Sequence, residues 1–313
     1  MKFASLVKNR KALIGLILFT LTVLIAAFPG LFTTDHNPAE MGAYPLSLGP
    51  SSGHLLGTTS YGQDIYSQLI YGARQVLVIA LIAGGVATVI SVLVGITAAY
   101  MGGIVDEVLT LATNVVLILP TFPLMIILAR YAGTSDTVMI MVLVVTGWSY
   151  GANQMRAQAL SLRNRDFLEA ARVRGERRSY IILFEMLPTM TSLIVANFLG
   201  SALYSVLAAS GLQFIGLGNS SAQSWGTMLY NADQAEALQS GNALWIIAPG
   251  LAIAILSAAF ALMNYAFDEI GNPALRPVRR KNLRKARKSG RAEVLGAATI
   301  DGKGAGDVYA DAS

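Results

Sequence analysis

Residues Ser161 to Pro188 read SLRNRDFLEAARVRGERRSYIILFEMLP. The stretch is polar and Arg-rich, and it separates two long apolar runs. By local physics, Asn164 to Gly175 is predicted to be a short helix with both ends marked. Asn164 can N-cap the free backbone donors. Asp166 sits in the first turn and Arg172 and Arg174 in the last, where the helix dipole favours each sign. Gly175 is a left-handed terminator. Phe167, Ala170, Ala171 and Arg174 share one face by helical spacing. That face sets an aromatic knob beside two methyl-sized positions, which lets a partner approach the backbone closely. Leu187-Pro188 then marks entry into the next apolar run. A solvated amphipathic connector carries the same local signals, so the residues of this loop leave both readings open.

Outward from the loop, the chain is built for lipid. Of 313 residues, 54% are hydrophobic and 13% charged, about half the charge of a typical soluble domain. A helix needs about 20 apolar residues to cross the hydrocarbon core. Six segments are predicted to do so: about 12–32, 75–101, 108–129, 137–152, 186–209 and 243–267. The expectation is therefore an all-α membrane protein of six transmembrane helices. Lys8, Arg10 and Lys11 precede the first run as in a signal peptide. That run exceeds the usual length of about 7–15 residues for a cleavable core, so it reads as a retained anchor.

The basic residues fix the expected orientation. Four stand near the N-terminus (Lys2, Lys8, Arg10, Lys11) and seven between Arg156 and Arg178. Ten more lie between Arg276 and Lys303, so that 21 of the 23 fall in three segments. The remaining two, Arg74 and Arg130, lie at helix ends. The loops at about 33–73 and 211–242 are nearly free of basic charge. The positive-inside rule places both termini and the 156–188 loop in the cytoplasm. Basic charge of this kind is a topology signal; no aromatic-interleaved basic patch points to nucleic acid.

Several chemistries are excluded. With no cysteine, thiolate catalysis and Cys-based metal sites are absent. The two histidines, His36 and His54, share one external loop and read as loop residues, so no metal is expected. No ionisable residue lies well inside a span, which argues against a proton relay. Gly302-Lys303 lacks the glycine spacing and the Ser or Thr of a P-loop. ATP is therefore not bound by that motif, and uphill transport must be driven through contact with another chain. Gly84-Gly85, Gly95, Ala98 and Ala99 give the second span a small-residue side suited to close packing. Pro120, Pro123 and Pro249 kink helices and free backbone carbonyls, which suits either a pathway lining or plain packing.

Glu169-Ala170-Ala171, Gly175 four residues later and then Leu187-Pro188 resemble the EAA loop of bacterial importer permeases. Wider matches extend from Lys8 to Pro277. They include Lys8-Asn9-Arg10-Lys11-Ala12-Leu13, His54-Leu55-Leu56-Gly57-Thr58 with Gly62-Gln63-Asp64, and Tyr71-Gly72-Ala73-Arg74. Phe214-Ile215-Gly216-Leu217-Gly218, Ser224-Trp225-Gly226 with Met228-Leu229, and Pro249-Gly250-Leu251-Ala252-Ile253 complete the set. Together they are similar to the dipeptide/oligopeptide/nickel permeases in their second-permease branch. The resemblance implies a type I ABC importer permease fold in a bacterial plasma (inner) membrane. It implies a non-catalytic subunit with no cofactor of its own, ATP and Mg being bound by partners. Those partners are two ATP-binding subunits, a second homologous permease and an extracytoplasmic substrate-binding protein. Asp166, Phe167, Glu169, Ala170, Ala171, Arg174 and Gly175 would then form the coupling helix. The resemblance admits peptides, oligosaccharides or nickel chelates as cargo; an ATP-independent carrier or channel is the alternative of a different class. Two positions depart from the pattern: Gln63, where relatives commonly have Arg, and Glu185, which we pair with Arg177, Arg178 or the ATPase.

Three regions are expected. Residues 1–73 comprise a cytoplasmic stub, the first span and an external loop. Residues 74–275 form a five-helix core with the coupling loop at 156–188, and 276–313 form a basic, then disordered, cytoplasmic tail. Nine basic residues between Arg276 and Arg291 read as a topology determinant first and a lipid-headgroup contact second.

Overall fold

The computed structural model describes residues 10–219 and 222–271. The basic residues Lys2 and Lys8, and those from Arg276 onward, lie outside the described residues, as do the tail and its expected boundary. Among the described residues the regular structure is helical. We number α1 Arg10–Ala27, α2 Ile65–Met101, α3 Gly103–Ile118, α4 Thr121–Ala132 and α5 Asp136–Arg163. They are followed by α6 Asp166–Val173, α7 Thr191–Phe214, α8 Trp225–Gln234 and α9 Leu244–Gly271.

Four described helices are long and apolar enough to cross a membrane: α1, α2, α7 and most of α9. A fifth candidate is the pair α3–α4, bent by 89° at its break. The cause of the bend is local. Leu119 precedes Pro120 and is extended, at φ −65° and ψ 134°, because the proline ring disfavours the helical region for the residue before it. Pro120 then becomes the cap of α4, and Pro123 falls in its first turn, where a missing N–H costs no helical hydrogen bond. Helix α5 occupies the expected fourth segment but runs on to Arg163. Ser149, Asn153 and Gln154 dilute its apolar character. The expected fifth segment starts at Thr191 rather than Met186.

Close helix approach is set by glycine. A Cβ on Gly84 would stand 2.8 Å from the backbone nitrogen of Ala202 in α7. One on Gly95 would collide with the carbonyl of Ala152 in α5. Three apolar clusters result. One joins α1, α2, α7, α8 and α9 around Trp225, Trp245 and Phe260. A second joins α2, α4, α5 and α7 around Ile79, Met125, Leu143 and Leu212. The third sits where α2 and α5 end and α7 begins, and includes Ile96, Met155, Leu168 and Met186.

The helix ends sort into two groups. At one end Asn242 Nδ2 donates to the Thr58 carbonyl at 2.7 Å, and Trp225 Nε1 to the Leu69 carbonyl at 2.8 Å. The loop between α1 and α2 belongs to this end and folds back on itself, with the Tyr44 N–H donating to the Gly62 carbonyl at 3.0 Å and the Ser47 N–H to the Thr59 carbonyl at 3.0 Å. Asp64 caps α2 by accepting from the Ser67 N–H at 2.8 Å, and its other oxygen pairs with His54 Nδ1 at 2.9 Å. Burial and the nearby carboxylates of Asp35 and Asp64 push the Tyr44 phenol above its ordinary value. Gln63 is buried and donates from Nε2 to the Ala39 carbonyl at 2.8 Å. A neutral amide thus occupies the position where the resembling family commonly has a charge. At the opposite end stand Arg10, Lys11 and every described basic residue from Arg156 to Arg178.

Candidate functional site

Helix α6 is built differently at its N-terminus from the sequence expectation. Asn164 closes α5 and Arg165 caps α6, with no side-chain cap hydrogen bond. One residue of extended chain, Arg165 at ψ 144°, is needed to turn from one helix into the next. Asp166 and Glu169 lie in the first turn and Arg172 in the last, as the dipole favours. The C-terminus is a Schellman motif. The Gly175 N–H reaches the Arg172 carbonyl at 2.9 Å and the Glu176 N–H the Ala171 carbonyl at 3.2 Å. Gly175 takes φ +77°, which is costly for any residue with a Cβ.

The structure divides the face read from the sequence. Leu168 and Ala171 are fully buried against the ends of α2 and α5. Asp166, Phe167, Glu169, Ala170, Arg174 and Gly175 are exposed. Ala171 therefore anchors α6 to its own chain, and Phe167, Ala170 and Arg174 face outward. Glu185 pairs with Arg174, not with Arg177 or Arg178: Arg174 Nη2 lies 3.4 Å from Glu185 Oε1 and Nε 3.9 Å from Glu176 Oε1. Arg172 reaches back to the Arg163 carbonyl at 2.9 Å and lies over the Tyr100 ring.

Beyond α6, Ile181–Met186 winds as a π-helix. The Leu187 N–H bonds to the Ile182 carbonyl, five residues back. Pro188 has no N–H and its ring crowds the carbonyl four residues earlier; the wider turn relieves that clash. Two further features were not singled out from the sequence. Arg156 grips Asp106 with both forks, Nε to Oδ1 at 2.6 Å and Nη2 to Oδ2 at 2.7 Å. This bidentate pair ties the start of α3 to α5 beside the α6 anchor.

The second feature is a cavity of about 490 Å³ between the α3–α4 bend, the middle of α5, the first half of α7 and Asn264 of α9. Its polar lining includes Thr146, Ser149, Gln154, Asn197, Ser201 and Tyr204, and no charged side chain. None of Pro120, Pro123 and Pro249 lines it. Pro120 shapes it indirectly, since the bend turns Thr121 and Leu117 toward it. Among the described residues no cluster of three or more His, Cys, Asp or Glu could hold a metal.

Residues 91–277 match the family described as binding-protein-dependent transport system inner membrane component. The dipeptide transport system permease protein DppC of Alkalihalophilus pseudofirmus is 29% identical over 277 residues, 88% of this chain and 89% of that protein. The oligopeptide transport system permease protein OppC of Mycobacterium tuberculosis is 30% identical over 214 residues, 67% of this chain and 73% of that protein. Among solved structures, a chain of the inward-facing MetNI methionine ABC transporter superposes with a TM-score of 0.53 at 18% identity. That match covers 67% of this chain and 97% of the other, and it shows a shared fold.

Proposed function

Because the chain belongs to the family of binding-protein-dependent transport system inner membrane components, we propose that it forms half of the translocation pathway of an ATP-driven peptide importer. Peptides are the cargo named for the relatives that match over most of the chain. In this reading the chain is a permease without a catalytic site of its own. Two partner subunits hydrolyse ATP, a second permease completes the pathway, and an extracytoplasmic binding protein delivers the peptide. The α3–α4 pair and α5 complete six spans, with both termini on the cytoplasmic side of a bacterial plasma membrane.

The observation that carries the reading is α6. It presents Phe167, Ala170 and Arg174 outward while Leu168 and Ala171 root it in the cluster that joins α2, α5 and α7. A push on the outer face is transmitted to three long helices through packed side chains, which move together because interiors are close-packed. ATP-driven closure of the partner pair would shift α6 and rock the helices between inward-facing and outward-facing arrangements.

The test is uptake by the assembled transporter. Glu169→Lys puts a cation in the first turn against the helix dipole, and Gly175→Trp forces a bulky residue into the left-handed region. Both variants are expected to reach the membrane in normal amount and to lose most peptide uptake. Normal uptake in both would overturn the assignment of α6 as the coupling element.

A further inference from the structure

Helix α3 is bounded by a joint at each end. It begins at Gly102–Gly103, two successive glycines at positive φ, +64° and +55°, and it stops at the Leu119–Pro120 break. Its packing along the way is thin. Of its 16 residues only Thr113 is buried, and the Thr113 hydroxyl donates to the Leu109 carbonyl of its own helix at 2.8 Å. Ile104, Val108, Leu111 and Ile118 are exposed. One strong tie offsets this. Arg156 Nε and Nη2 donate to Asp106 Oδ1 and Oδ2 at 2.6 and 2.7 Å, and Thr110 Oγ1 donates to Oδ1 at 3.0 Å, which holds the carboxylate in place. The two side chains are 28% and 20% exposed, so solvent screens this pair less than a surface pair.

Arg156 also stands where the anchor of α6 ends. Its neighbour Met155 is fully buried in the cluster that holds Leu168 and Ala171 of α6. A Cβ on Gly95 of α2 would stand 2.9 Å from the Arg156 backbone nitrogen and 2.7 Å from Met155 Cβ, so α5 and α2 are locked together at this level. A displacement of α6 therefore reaches the Arg156 backbone through close-packed atoms. We propose that the Arg156–Asp106 pair passes this displacement to α3, turning it about the Gly102–Gly103 joint and so moving the α3–α4 wall of the cavity. The proposal rests on the reading of α6 as the coupling element and extends it to two positioning residues and a helix that the buried anchor does not reach. A two-pronged pair fixes orientation as well as distance, which one sliding apolar contact would not. Arg163 and Arg172 hold the end of α2 instead, at the Ala99 carbonyl and over the Tyr100 ring.

The experiment uses the full complex with its binding protein in proteoliposomes. Asp106→Asn, Arg156→Gln and the double variant form a cycle, read as peptide moved per ATP hydrolysed. Each single variant is expected to lower that ratio about tenfold, the scale of one hydrogen bond to a charged group. The double variant should lose no more than either single, because one link is broken in all three. ATP hydrolysis should stay within about twofold, since the partners that perform it are untouched. A second readout follows α3 itself. Leu117 lines the cavity, and in Leu117→Cys the rate of labelling by N-ethylmaleimide should change when ATP and vanadate are added. Adding Asp106→Asn should abolish that change, which a merely structural role would not do selectively. If Asp106→Asn does not assemble, Arg156→Lys carries the test, because it keeps the cation and forfeits the fork; it should show the same two losses in weaker form. An unchanged ratio and unchanged labelling response in assembled variants overturn the link and leave the role of α6 standing. So do losses that multiply in the double variant, or labelling of Leu117→Cys that ignores ATP while the pair is intact. Parallel loss of uptake and ATPase overturns it by showing a structural role. A wild-type complex that moves no peptide overturns the function reading instead.

Discussion

Neighbouring glycines in α2 do different work. A Cβ at Gly84 would press on the backbone of Ala202, whereas at Gly85 the nearest atom would be 3.9 Å away on the Phe198 ring. Gly84→Ala is therefore expected to destabilise the fold by about 1–3 kcal/mol through overpacking. Gly85→Ala should be neutral or stabilise by up to about 1 kcal/mol, because alanine favours the helix. Thermal unfolding in detergent decides: equal shifts for the two variants would refute the assigned helix crossing. A stripe of small residues in α2 was legible in the sequence, but which glycine meets a neighbour was not, since that depends on the rotation of α7. Gln63 shows the same limit. Its departure from a family pattern could be read, but its bond to the Ala39 carbonyl depends on how the loop folds back on itself.

At the scale of elements, α6 separates a strong anchor from a weak clasp. Leu168 is fully buried among Ile96, Met155 and Met186, and truncating such a leucine costs about 2–5 kcal/mol. The Arg174–Glu185 pair is 55% and 30% exposed, in the range where an ion pair contributes about 0–1 kcal/mol. Leu168→Ala should therefore lower the peptide moved per ATP hydrolysed several-fold, while Glu185→Ala leaves that ratio within about twofold. The reverse ranking, measured in the reconstituted complex, would show that the clasp and not the anchor transmits the push. The helix itself was legible from Asp166, Arg172 and Gly175, whose chemistry is local. The cap was not, because Asn164 also ends α5, and a residue flanked by two helical patterns can serve either. Helix α5 carries the same lesson in its middle. Ser149 and Gln154, which weaken its reading as a membrane span, are residues that line the polar cavity, so a polar interior within the bundle blurred the membrane-span signal.

At the scale of the whole molecule, the two ends of the helix bundle differ sharply in charge. Arg10 and Lys11 begin α1, Lys11 lies 4.1 Å over the Tyr265 ring near the end of α9, and the arginines from Arg156 to Arg178 gather around α6. The opposite end holds Arg74 near the start of α2 and Arg130 near the end of α4 among its basic residues. Such asymmetry orients a membrane protein with the basic end inside, and it is a property of composition that needs no coordinates. The absence of cysteine makes the orientation directly measurable, because a single introduced thiol is the chain's only one. Ser52 in the α1–α2 loop and Ser179 beyond α6 are both exposed, so each thiol is open to reagent. A membrane-impermeant maleimide applied to intact spheroplasts is expected to label Ser52→Cys at once. It should label Ser179→Cys only after the membrane is permeabilised. Ready labelling of Ser179→Cys in intact cells would place α6 on the side without ATP, and the coupling role argued for it would fall with the orientation.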